Sequence, residues 1–316
     1  MKQSKKMGRG LEDFSHLFLS SPSEKPEQRA EKVKESTERE KSLSVPARSL
    51  CITSDKGVHE RSVVAIQLAL EIARRGRNIV LFDADFSLPR LGMLIDDSVQ
   101  QKSLMHLIDS NEQETPAEGD YRGINLITVD ADISTCHSLS SHEREVLANH
   151  FNAIEENADV ILVVIAPEVT ALMRAFLNVV NEIMVVVPQP VAEMINAYGV
   201  IKSIFNCNSA ARVGLLASRV TPPSQAEAVL TKMQQVVDKF LHKSLYSYGY
   251  LSADTELSLL QEQRNAPETY SLSAKHPVSP SIAGIATALL EVDAKKNHER
   301  AHTASPSFTD VLLNNG

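Results

Sequence analysis

Hydrophobic and polar positions divide the chain into three regimes. From Ser49 to Val292, short runs rich in β-branched residues alternate with stretches whose apolar positions recur at helical spacing, the pattern of strands and covering helices in βαβ units. The runs Ser49–Thr53, Asn78–Phe82, Asn125–Val129, Val160–Ile165, Ile183–Val187 and Val213–Ala217 have strand length and are dominated by apolar residues, as strands buried on both faces must be. Between them, Arg61–Arg75, His142–Glu156, Val169–Val180, Ala192–Phe205 and Gln225–Leu241 read as helices. The first of these ends on Arg74 and Arg75 and is followed by Gly76, cations and a glycine where a helix stops. Tyr246, Tyr248 and Tyr250 alternate ahead of Leu251 and predict a last strand over Leu245–Leu251, with closing helices at Thr255–Gln263 and Ser281–Val292. The expected fold class is α/β, a doubly wound, mostly parallel sheet with helices on both faces, over residues 48–292.

The flanks lack this alternation. Ser23–Ser42 is nearly all charged or polar, with no apolar face to pack, so residues 22–47 are expected to form a disordered linker. Ahead of it, Leu11, Phe14, Leu17, Phe18 and Leu19 crowd into a short stretch, with Leu11, Phe14 and Phe18 on one helical stripe. So few residues cannot enclose a core. Residues 1–21 therefore read as a docking peptide that seats either in a protein partner's groove or back on the body, with a frayed tail as the alternative. Residues 293–316 are polar apart from Phe308, Val311, Leu312 and Leu313, and have no Lys or Arg beyond Arg300. They read as a disordered tail without the basic amphipathic helix that holds a protein on anionic lipid, so no direct membrane anchor is expected.

Charge and composition narrow the classes further. The 316 residues carry a net charge of −8. Met1–Ala47 contains ten Lys/Arg and eight Asp/Glu, which leaves −10 on the remainder. An acidic body is a poor match for a phosphate backbone, and no nucleic-acid partner is expected. No uncharged apolar stretch approaches the roughly 20 residues of a bilayer-spanning helix, and the N-terminus lacks the apolar block of a secretory signal. The expected location is the cytoplasm, with recruitment to a membrane only through a partner. Cys51, Cys136 and Cys207 are far apart and unaccompanied by Cys or His at ligand spacing, so neither a disulfide framework nor a metal site is expected. Glycines number only 12, few for loops that must wrap phosphates.

Ligands of doubly wound sheets sit at the carboxyl ends of the strands, which directs attention to the turn after the first strand. It reads Thr53-Ser54-Asp55-Lys56-Gly57-Val58-His59-Glu60-Arg61-Ser62 and is followed by a helix, a strand and Asp83-Ala84-Asp85. This segment resembles the MinD/ParA class of deviant P-loop ATPases, whose loop pattern GKGGVGK[ST] precedes a similar helix, strand and DxD. Within the class, FSLPRLGMLI and VVPQPVAEMINAYGVIKSI are similar to the matching blocks of flagellar-number regulators of the FlhG/FleN type. The resemblance implies a nucleotide site with Lys56 at the signature lysine, Gly57 at one loop glycine, Arg61 at the phosphate-binding lysine, Ser62 at the magnesium-binding hydroxyl, and Asp83 and Asp85 at the second acidic motif.

The departures from that pattern carry the most information. Asp55, Val58 and Glu60 stand where the class has glycines. A phosphate-wrapping loop holds its N–H groups in conformations that cost a non-glycine roughly 1–2 kcal/mol each. A carboxylate at Glu60, about 4 Å from a phosphate charge, costs roughly 4 kcal/mol at an effective dielectric of 20. Arg61 keeps a positive charge, but its planar fork does not replace an ammonium in a tight cage. Val164 and Glu168 fall on the aspartate and glycine of the class's switch motif, and Ser218 on its adenine-side asparagine. The site is therefore expected to be vestigial, with no catalytic residue, no resident metal and no cofactor; ATP with magnesium enters only if the altered loop still binds. Lys56 is either a solvated loop lysine or a contact across a homodimer interface, Asp83 and Asp85 are expected to cap the strand-to-helix turn, and Ser62 to start the helix. The expected function is that of a pseudo-ATPase scaffold or regulator of flagellar or cell-envelope machinery. Two alternatives stand beside it: an unusual ATPase that dimerises with nucleotide, and a regulator of polysaccharide synthesis or export.

Overall fold

β1 (Arg48–Ser54) is buried at every position because a parallel neighbour covers each edge: β6 (Val160–Ile165) on one side and β7 (Glu182–Pro188) on the other. The computed structural model describes residues 47–55, 60–85, 91, 102–103, 120–121, 123–128, 140–167, 174, 176–178, 180, 182–188, 191–220, 224–252 and 280–300. The docking peptide, the linker up to residue 46, the helix expected at 255–263 and the chain beyond 300 lie outside these residues.

The remaining strands are β2 (Ile79–Ala84), β3 (Lys102–Ser103), β4 (Asp120–Tyr121), β5 (Ile124–Thr128), β8 (Val213–Val220) and β9 (Tyr246–Ser252), in the order β3-β5-β2-β6-β1-β7-β8-β9. All pairs are parallel except that of β4 with β5. The doubly wound α/β sheet read from the sequence is therefore present. The two-residue strands β3 and β4 were not expected, since pairs that short carry no alternation to read.

Alternation along the strands sends side chains to two faces. Cys51, Phe82, Val163 and Val185 face one layer, with α3 (Val191–Cys207) and α4 (Ser224–Leu241) packed on it. Leu50, Ile52, Leu81, Leu162 and Val186 face the other, where α1 (Glu60–Arg74) and α5 (Pro280–Arg300) lie. α1 is buried almost all round, between the sheet and α5. Its end carries the glycine stop foreseen: Gly76 has φ +74°, the Gly76 N–H donates to Ala73 O and the Arg77 N–H to Ile72 O, the paired bonds of a Schellman closure. α2 (Ser141–Asn157) opens on a reciprocal capping box between Ser140 and Glu143. Of the helix expected at Val169–Val180, the described residues 174 and 176–178 are helical. α5 runs past Val292, where the sequence reading ended it, because Asp293–Arg300 contains neither Gly nor Pro to stop it.

Candidate functional site

The first turn of α1 meets the carboxyl ends of β1, β2 and β8. Arg61, on that turn, donates from Nη2 to Asp85 Oδ2 at 2.5 Å and from Nη1 to Ser54 Oγ at 3.2 Å. Ser54 closes β1 and Asp85 follows β2, and these two strands flank β6. The Arg61 guanidinium therefore bridges the strands on either side of the end of β6, where Thr53 Oγ1 also donates to Ile165 O at 3.2 Å. Both side chains of the Arg61–Asp85 pair are buried.

The two aspartates do different work. Asp83 accepts from the Asp85 N–H at 3.2 Å and from the Leu91 N–H at 2.9 Å, the turn-closing role expected of it. Asp85, expected in the same role, instead gives its carboxylate to Arg61. Nothing local in the sequence announces that pair, which spans 24 positions and exists only because β2 and α1 converge at one end of the sheet. Val164, at the position of the switch aspartate, is 1% exposed and lies in register with Asp83 on one side and Ile52 on the other.

Glu60 and Ser62 are buried, and α1 begins at Glu60 rather than at Ser62. The sequence reading set Glu60 against phosphate but missed its counter-ion: Arg219, at the end of β8, forms an ion pair with the Glu60 carboxylate. Ser218, beside it, is fully buried, and its hydroxyl has no hydrogen-bond partner. Lys56, Gly57, Val58, His59 and Glu168 lie outside the described residues, as do Leu11, Phe14, Leu17, Phe18 and Leu19. Among the described residues no cluster of His, Cys, Asp and Glu could hold a metal ion. No described helix is long and apolar enough to cross a membrane.

Comparison with known proteins places this geometry in a family. Residues 47–209 match the family described as AAA domain, a span covering β1 to β7 and α1 to α3. The antiactivator FleN of Pseudomonas aeruginosa is 24% identical over 71% of this chain and 81% of its own length. The flagellum site-determining protein YlxH of Helicobacter pylori is 24% identical over 67% of this chain and 71% of its own. Among solved structures, a chain of the MinC:MinD cell division protein complex of Aquifex aeolicus superposes with a TM-score of 0.57 at 19% identity, covering 78% of this chain and 96% of that one. The chain belongs to the AAA domain family, as a member of its MinD/ParA type of P-loop ATPases close to the FlhG/FleN regulators.

Proposed function

We propose that this protein is a MinD/ParA-like regulator that positions or controls a larger assembly without turning over ATP, and that the assembly is flagellar or cell-envelope machinery. In this reading residues 48–292 form the scaffold, residues 22–47 tether to it the docking peptide with Leu11, Phe14, Leu17, Phe18 and Leu19, and residues 293–316 form the tail. The printed names of the relatives, an antiactivator and a flagellum site-determining protein, support the kind of assembly.

The observation that carries the non-catalytic part is the Arg61–Asp85 pair. A triphosphate needs unspent positive charge and a carboxylate to share its magnesium. Against that requirement the described residues fit poorly. Arg61 spends its fork on Asp85 and Ser54, Glu60 brings a buried carboxylate to the helix N-terminus, and Val164 supplies no oxygen where the metal partner would stand. Ser62 and Asp83 would be the residues left to face magnesium, and Asp83 already accepts two backbone N–H groups.

Isothermal titration of the full chain with ATP and magnesium tests the reading, with no binding heat expected at millimolar nucleotide. Turnover by the unmodified protein that Ser62→Ala abolishes would overturn it in favour of a working ATPase.

A further inference from the structure

Arg219 has φ +55°, in the left-handed region that a residue with a Cβ rarely adopts. The register of β8 against β9 slips over the same place, between Ala217 and Val220. Such bulges re-aim side chains and cluster near binding sites. The side chain so aimed is the partner of Glu60. Neither Glu60 oxygen has a hydrogen-bond partner, so this ion pair is what meets the buried carboxylate. The cost appears next door, where the Ser218 hydroxyl is buried and unpartnered. A backbone strained at one residue, an interrupted ladder and a forfeited hydrogen bond persist only where the fold over-determines them.

The Arg61–Asp85 pair makes the second half of the arrangement. At the junction of α1 with the strand ends, Arg61 pairs with Asp85 and Arg219 with Glu60, while the buried Asp83 carboxylate is taken up by backbone N–H groups. The cations have been neutralised from within by side chains whose positions depend on the fold. Asp83 cannot take the place of Asp85 without giving up the turn it closes.

Resting on the reading that nucleotide is not bound, the geometry assigns Glu60, Asp85 and Arg219 as the specificity-determining residues of this site: their ion pairs satisfy its cations internally, and it rejects polyphosphate anions for that reason rather than for want of positive charge. A single loss of carboxylate charge converts the site to one that takes polyphosphate.

Full-length Asp85→Asn is titrated with inorganic tripolyphosphate, and with ATP and magnesium, beside the wild type. The wild type is expected to give no heat. Asp85→Asn is expected to bind tripolyphosphate at least tenfold more tightly than any limit set for the wild type, and adding Arg61→Gln should abolish that gain. Glu60→Gln, in the pair with the more exposed Arg219, should gain in the same direction and serves if Asp85→Asn does not fold. Folded variants that stay silent would overturn this assignment while leaving the proposed function standing. Wild-type binding of ATP would overturn the reading that nucleotide is not bound, and equal binding by Asp85→Asn would overturn the assignment with it.

Discussion

Arg48 donates from Nη2 to Glu182 Oε2 at 2.9 Å, joining the first residues of β1 and β7 at the amino ends of these strands. Glu182 also accepts the Tyr248 phenol at 2.9 Å and pairs with Arg212 at 3.3 Å, so one buried carboxylate serves three strands or their approaches. Removing one member of such a group strands the others. Glu182→Ala should lose about 3–5 kcal/mol of unfolding free energy, read from urea denaturation. An unchanged midpoint would mean that water reaches the cluster.

The same carboxylate makes stability depend on acid. Burial pushes its pKa up, but the Arg48 charge, the Tyr248 hydrogen bond and Arg212 outweigh that and hold it below the ordinary value. For Glu71, burial is likewise outweighed, by Arg74 and Arg75. A carboxyl with a lowered folded pKa contributes stability above its unfolded pKa of about 4.5 and loses it as pH falls through the folded one. Unfolding free energy should therefore decline below about pH 4.5, and Glu182→Gln should flatten that decline. A variant curve parallel to the wild type would remove Glu182 from the account.

Gly214 leaves room for an aromatic ring. A Cβ there would run into Tyr248, whose hydroxyl is tied to Glu182. Gly214→Ala should cost about 1–3 kcal/mol, lowering the melting temperature by several degrees. In a Tyr248→Leu background, where the ring is gone, the same Gly214→Ala change should cost less than it does in the wild type.

Cysteine chemistry separates two positions. Cys51 is fully buried in β1, and burial pushes its thiol well above the ordinary range, whereas Cys207 is half-buried at the end of α3. Thiolate is the reactive form. A thiol reagent on native protein should label Cys207 before Cys51, as peptide mass spectrometry would show. Equal labelling would mean that β1 opens readily.

Deleting residues 1–21 should leave the melting temperature within about 1 °C of the full chain, since a tethered docking peptide adds nothing to the core, while abolishing capture of the assembly partner. A large fall in melting temperature would show that the peptide packs on the body.

The strands were legible because Val160–Ile165 and Ile183–Val187 are nearly all apolar and β-branched, a composition that only burial on both faces explains. The Arg74-Arg75-Gly76 stop was legible because its signals are local. The ion pairs of the site were not. Arg61 with Asp85 and Glu60 with Arg219 join residues brought together by sheet order, and no spacing within one segment marks them. Asp85 looked like a turn cap for the same reason that Asp83 is one: the two share a sequence context, and only the approach of α1 distinguishes them.

Arg48 reaches across the fold from Nη1 to the Leu289 carbonyl in α5, so one of the earliest folded positions takes its acceptor from one of the last. During synthesis Nη2 can meet Glu182 after some 134 further residues, whereas Nη1 waits for its acceptor until some 240 have left the ribosome. The opening strand thus gains its last side-chain acceptor only when α5 arrives, a tie between distant parts of the chain that local sequence cannot form early.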